Sequence, residues 1–227
     1  MLNILAVGPH PDDVELGMGG SILKFTETGH RVTIVDLTDG EPIPRGNPEI
    51  RKKESVKASR ILGIEERITL DFPNRYLQDE IEARQELAEI IRKTQPDILF
   101  APYWIDAHPD HISASKICEA ACFYGKFIKT EMKGKPFYVK KIYYYISSHL
   151  RQNIKPSFIM DISKFVEMKI EVIRCYESQF GPSLEDHQMF EWILNSNRYW
   201  GNLIGTKFAE PFISKEEIGI KDIEALL

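Results

Sequence analysis

Two short clusters hold most of the side chains that could do chemistry. Pro9-His10-Pro11-Asp12-Asp13 and Asp106-Ala107-His108-Pro109-Asp110-His111 each set imidazoles beside carboxylates within a few positions. Either alone could be a turn whose aspartates cap a following helix, because Asp is favoured at N-caps. Taken together they offer more donors than one catalytic dication needs. A catalytic Zn2+ takes three protein ligands from His, Asp and Glu and keeps a further position for water. Imidazole nitrogen and carboxylate oxygen also accept other divalent ions, so Zn2+ leads, with Fe2+ and Co2+ as alternatives. The residues left over could take a proton from an attacking water or stabilise charge developing on a substrate. The chemistry implied is metal-assisted hydrolysis.

Such a site requires the two clusters to meet, and the surrounding pattern says how they could. Leu2–Gly8, Arg31–Leu37, Ile68–Phe72 and Asp97–Ala101 read as strands: short, apolar and closed by Gly, Pro or polar residues. Between them Gly19–Thr28, Pro48–Leu62 and Glu80–Gln95 read as helices, the second with Pro48 in its first turn and Gly63 past its end. A helix also follows the second cluster, from Ile112 to Phe123. This alternation predicts an α/β fold, a Rossmann-like three-layer sandwich with a mostly parallel sheet and helices on both faces. Both clusters directly follow a strand, which puts the metal site at the C-terminal ends of strands, the ligand edge of open α/β sheets. The second half continues with strands at Lys141–Ser147 and Ser157–Ile162 and helices near Ser163–Gln179 and His187–Gly205. With no segment of linker composition, the expectation is one domain over 1–227, the part from about 140 being an extension packed on the same sheet.

Composition excludes broad classes. With 29 basic and 34 acidic residues the net charge is -5, which argues against a protein built to coat nucleic acid or an anionic membrane. Three cysteines, Cys118, Cys122 and Cys175, form no disulfide framework, and the first two read as small buried apolar groups on a helix. The N-terminal apolar run is too short for a signal sequence or a membrane span, so the expected location is cytoplasmic.

The paired motifs, near the N-terminus and after the fourth strand, resemble the LmbE-like or PIG-L family of zinc-dependent N-acetylglucosamine deacetylases. Arg51-x-x-Glu54, Ala58–Gly63, Phe100–Trp104, Ser178-Gln179-Phe180 and Tyr199-Trp200-Gly201 follow in the order of the bacterial branch that includes the N-acetylglucosaminyl-malate deacetylases of bacillithiol biosynthesis. The resemblance implies that His10, Asp13 and His111 hold the zinc and that Asp12 is the general base on the attacking water. It implies His108 as the group that stabilises the oxyanion or assists the leaving amine, with Asp110 orienting His108. Arg51 and Glu41 fall where the family contacts substrate, although an Arg on a helix is by default a solvated charge. It further implies an N-acetylated amino-sugar substrate and a homo-oligomer, commonly a hexamer. One departure is visible: many members follow the Asp-Asp pair directly with Glu, whereas Val14 intervenes here, which leaves the role of Glu15 open.

Rival readings exist. Gly17-x-Gly19-Gly20 with Asp36 imitates a dinucleotide-binding fingerprint, but Pro9–Asp13 fills the turn where its first glycine belongs. A non-catalytic carbohydrate- or metal-binding protein is the other alternative. Tyr143–Tyr145 is expected to pack in the core, and Tyr103 and Trp104 could either do so or meet a sugar face. His30, His149 and His187 have no metal-spaced companions and receive no role. The group attached to the sugar would be read by loops after Thr38 and around Phe180–Asp186.

Overall fold

A computed structural model describes residues 1–147, 149–181 and 186–220. Its centre is a seven-stranded sheet: β1 (Asn3–Gly8), β2 (Arg31–Asp36), β3 (Glu66–Thr69), β4 (Ile98–Pro102), β5 (Lys141–Tyr145), β6 (Phe158–Asp161) and β7 (Ala209–Ile213). The spatial order is β3-β2-β1-β4-β5-β7-β6. The first five strands run parallel, and β7 enters antiparallel between β5 and β6.

Alternation along the strands builds two cores, because successive side chains leave opposite faces. Leu5, Val7, Leu99 and Ala101 face one apolar cluster, while Ile4, Ala6, Ile34 and Phe100 face the other. Helices α3 (Ile81–Thr94) and α4 (Pro109–Tyr124) cover the first face; α1 (Asp13–Glu27), α2 (Pro48–Leu62) and α5 (Val166–Arg174) cover the second. The expected three-layer α/β fold is therefore the one observed. Tyr144 and Tyr145 are buried in opposite clusters, and Cys118 and Cys122 are buried, free thiols on α4.

Three differences from the sequence reading have physical causes. The helix anticipated over Ser163–Gln179 is broken near Tyr176, giving α5 and a short α6 (Glu177–Phe180). Glu54, one turn beyond Arg51 on α2, accepts the Ser178 backbone N–H at 2.7 Å and its hydroxyl at 2.6 Å, which fixes that break. Strand β3 begins two residues earlier than anticipated, in register with β2 from Glu66. Strand β7 was not anticipated: its five residues are all buried, yet they include Glu210 and Pro211, which read against a strand.

Glu210 explains the break inside α1. The helix begins at Asp13 but has non-helical angles at Met18, so the segment expected from Gly19 is a second helical run. Its unsatisfied N–H groups at Gly20 and Ser21 donate to the Glu210 carboxylate at 3.0 and 2.7 Å, and Lys169 Nζ neutralises that carboxylate at 2.7 Å. A carboxylate 190 positions away thus does the work of an N-cap. Helix α7 (Asp186–Leu203) closes the fold beside β7.

Candidate metal centre

Strands β1 and β4 are parallel neighbours, and the chain leaves them toward opposite edges of the sheet. Their C-terminal ends therefore flank a topological switch point, where both motifs emerge. The first motif turns sharply: the Pro9 carbonyl accepts from the Thr38 N–H, and Asp12 adopts φ 129°, ψ -27°. That is a strained conformation for a residue with a side chain, costing on the order of 1–3 kcal/mol, and it turns the chain into α1 so that Asp12 and Asp13 both face the crevice. In the second motif His108 caps α4 and Pro109 occupies its first turn.

The two loops meet closely. His10 Nδ1 lies 3.0 Å from Asp13 Oδ2, and His111 Nε2 lies 3.3 Å from Asp13 Oδ1. The donors of His10, Asp13 and His111 all fall within 4.8 Å of one another. Nε2 of His111 is buried without a hydrogen-bond partner among the described residues, as a nitrogen reserved for a cation would be. Two imidazoles and a carboxylate fit a borderline dication such as zinc.

The far nitrogens of both imidazoles rest on carboxylates. His10 Nε2 meets Asp110 Oδ2 at 3.1 Å, and His111 Nδ1 meets Asp106 Oδ2 at 2.9 Å. Asp110 also accepts the backbone N–H groups of Arg75 at 2.6 Å and Leu77 at 3.2 Å. This corrects the expectation that the Asp110 carboxylate orients His108. His108 Nδ1 instead accepts the backbone N–H of Asp110 at 3.2 Å, a capping bond that leaves the ring proton on Nε2. The Asp110 side chain points across to His10 in the first loop while its backbone N–H faces the cap.

Charges in the crevice are strongly coupled. Burial pulls the His10 ring toward neutrality, but hydrogen bonds to Asp110 and Asp13 outweigh it and raise its pKa to about 10. A dication at this spot would compete with that proton. Burial pushes the Asp12 carboxyl up to about 7, against the pull of the Arg51 guanidinium. Burial would raise Asp13 as well, yet the neighbouring His111 and His10 hold it below the usual carboxylate range. Burial, and then the neighbouring His10, His111 and His149, push the His108 pKa below its ordinary value.

Arg51 is not a solvated charge. It is 2% exposed, donates from Nη2 to Asp12 Oδ2 at 3.0 Å, lies over the Tyr176 ring, and leaves Nε and Nη1 without hydrogen-bond partners among the described residues. Glu41 behaves differently: one carboxylate oxygen accepts the Ile43 N–H at 2.9 Å within its own loop. Gly40 and Ile43 on either side of it line the cavity, and Glu41 does not. Glu15 is fully buried and accepts from Arg67 and from the Tyr176 hydroxyl, each at 2.6 Å, so its place is structural.

The site lines a cavity of about 1050 Å³ that is also lined by Trp192, Tyr199 and Trp200 of α7 and by Arg151 and Asn153. This exceeds the volume most small-ligand pockets need. Of the Phe180–Asp186 segment anticipated to read the substrate, Phe180 lines this cavity and residues 182–185 lie outside the described residues. Tyr103 and Trp104 instead pack against the first core. Sequence reasoning missed two residues here. Asp106 was visible within its motif but had no evident partner, and His149, after β5, comes within 3.4 Å of it. His187 is in α7, and its side chain lies outside the described residues.

The dinucleotide reading loses its supports. Arg67 engages both oxygens of the fully buried Asp36 at 2.6 and 2.7 Å, which removes the acceptor a ribose would need. Gly17 lets α1 press against the Tyr145 ring, and a Cβ on Gly20 would come within 2.7 Å of Ile162. These glycines serve packing of helix on sheet.

Comparison with known proteins agrees with the geometry. Residues 5–122 match the family described as PIG-L: GlcNAc-PI de-N-acetylase. The chain is 31% identical to the diacetylchitobiose deacetylase of Thermococcus kodakarensis, over 91% of this chain and 80% of that protein. It is 27% identical to a probable N-acetyl-alpha-D-glucosaminyl L-malate deacetylase 2 of Bacillus anthracis, over 81% of this chain and 84% of that protein. Among solved structures, the conserved protein TT1542 from Thermus thermophilus superposes with a TM-score of 0.89 at 39% identity, covering 97% of both chains.

Proposed function

The chain belongs to the PIG-L family of de-N-acetylases, and from that premise we propose that it removes the N-acetyl group from an N-acetylglucosamine conjugate, releasing acetate and a free amine. The observation that carries this reading is the convergence of His10, Asp13 and His111 within 4.8 Å, with Asp12 beside them in the lining of a large cavity.

In this reading His10, Asp13 and His111 hold a divalent ion, zinc being favoured by the donor set. When bound, such an ion polarises the acetyl carbonyl and makes a water acidic enough to be deprotonated near neutral pH. Asp12, its carboxyl pushed up from the ordinary carboxylate range by burial, takes the proton from the attacking water and holds it for the departing nitrogen. Arg51 keeps that carboxyl in place, and its Nε and Nη1 are buried with no hydrogen-bond partner among the described residues. His108, neutral and with its proton on Nε2, donates a hydrogen bond to the oxygen that becomes negative. Asp110 acts through His10. Glu41 supports the loop after β2 and acts on substrate only through that loop.

The substrate is a small N-acetylated amino-sugar. Relatives act on diacetylchitobiose and, in one probable case, on the malate conjugate, so the decisive experiment is acetate release across both conjugates and an inositol conjugate, with metal analysis of the same preparation. No release from any of them by metal-loaded protein would overturn the proposal. We also carry forward one domain, a homo-oligomer such as a hexamer, and a cytoplasmic location, to be checked by mass photometry and cell fractionation. No described helix is long and apolar enough to cross a membrane.

A further inference from the structure

One carboxylate, outside the three donors, organises three histidines. Asp106 is 8% exposed. Its Oδ2 meets His111 Nδ1 at 2.9 Å. Its Oδ1 accepts the backbone N–H of His108 at 3.1 Å and of His149 at 3.1 Å, with the His149 ring nitrogen at 3.4 Å. The His149 ring also lies edge-on to the His111 ring, 5.1 Å between centres.

Asp106, His111 and His149 could by type and spacing form a second cation site beside the first. The hydrogen bonds argue otherwise. Oδ1 is already shared among backbone donors from two loops, and Oδ2 is spent on His111. Three of the carboxylate's roughly four acceptor sites are thus already used, which makes it a poor ligand. An ionised carboxylate only accepts, so a neutral His111 must carry its proton on Nδ1, where Asp106 receives it. That leaves Nε2 as a bare lone pair, and Nε2 is the buried atom, without a hydrogen-bond partner among the described residues, that faces Asp13.

We infer that Asp106 is a positioning residue which fixes the tautomer and orientation of His111 for metal binding, while holding the loop that begins at His149 against the same centre. This rests on the reading in which His10, Asp13 and His111 hold the ion, and it adds a chain position, beyond those three donors and Asp110, on which affinity depends.

The test reads metal affinity rather than turnover. Zinc is stripped from wild-type, Asp106→Asn and His149→Ala proteins and returned in competition with a chromogenic chelator. In Asp106→Asn the amide oxygen still accepts the two backbone N–H groups, but its NH2 faces His111 Nδ1 and selects the ring that carries its proton on Nε2, toward the ion. Zinc should bind Asp106→Asn about 10–100-fold more weakly, with His149→Ala within about threefold of wild type because Oδ2 still holds His111. Equal binding by Asp106→Asn and wild type overturns the inference, and so does an equal loss in both variants, which would mark generic loosening of the loop. Should Asp106→Asn fail to fold, imidazole 15N NMR of metal-free wild type, at a pH where the ring is neutral, decides. A His111 proton on Nδ1 is expected, and one on Nε2 overturns the inference. Wild type that takes up no zinc would instead bring down the three-donor reading itself.

Discussion

His10 and Asp110, one hundred positions apart, meet through Nε2 and Oδ2 at 3.1 Å. With that nitrogen engaged, His10 turns Nδ1 toward Asp13, at 3.0 Å, and so toward the point where the two motifs converge. Asp110 can hold this position because the backbone N–H groups of Arg75 and Leu77 brace its carboxylate. Asp110→Asn is expected to weaken zinc binding by about 10–100-fold, as well as slowing acetate release. Chelator competition on the purified variant checks it; an activity loss with wild-type zinc affinity would return Asp110 to a role on His108.

Asp12 donates nothing to the three-donor set, so its removal should separate chemistry from metal binding. Asp12→Asn is expected to retain one zinc per chain and to lose about 10²–10⁴-fold in kcat. His10→Ala and His111→Ala should lose the metal as well. Metal content by mass spectrometry, set against acetate release, distinguishes the two patterns, and full turnover by Asp12→Asn would remove it from the mechanism.

Arg51 is buried and its one ion-pair partner is the proposed base. Replacing it with Met removes the guanidinium paired with the buried Asp12, and breaking a buried pair costs on the order of 3–5 kcal/mol. Arg51→Met is expected to lower kcat/KM at least about tenfold and to lower the melting temperature, with zinc content unchanged. An Arg51→Met enzyme with wild-type kcat/KM would restore the solvated-charge reading.

Glu15 sits two residues after a proposed metal ligand, yet its partners are Arg67 and Tyr176. Glu15→Gln should therefore reduce stability by about 1–3 kcal/mol in denaturant unfolding and leave kcat within a fewfold of wild type. A large kcat loss in a stable Glu15→Gln protein would give Glu15 a chemical role.

Glu210 holds the interior of α1 from across the molecule. Glu210→Ala leaves the N–H groups of Gly20 and Ser21 and the 1%-exposed Lys169 ammonium without their acceptor. A loss of about 3–5 kcal/mol is expected by denaturant unfolding, and a loss below about 1 kcal/mol, against this order of magnitude, would mean that water reaches these groups.

The sequence by itself determined much of the chemistry and most of the fold. Both motifs are contiguous, so residue type and spacing displayed His10, Asp12, Asp13, His108, Asp110 and His111 together. Apolar alternation and helix end signals marked β1, β2, α2, α3 and β4, because those elements bury a face whose period is written locally. Tertiary structure alone decided which carboxylate serves which imidazole. The family resemblance implied Asp110 as the partner of His108, yet its side chain reaches His10 while its backbone N–H meets His108. His149 joined the site through Asp106, and Arg51 changed from a surface charge to a buried cation once α2 packed over the first loop. Strand β7 escaped notice because Glu210 and Pro211 disguise it, and the reason for that glutamate lies 190 positions away on α1. Local spacing reports which groups a loop can offer. Burial and hydrogen bonding between distant segments decide which of their nitrogens and oxygens remain free.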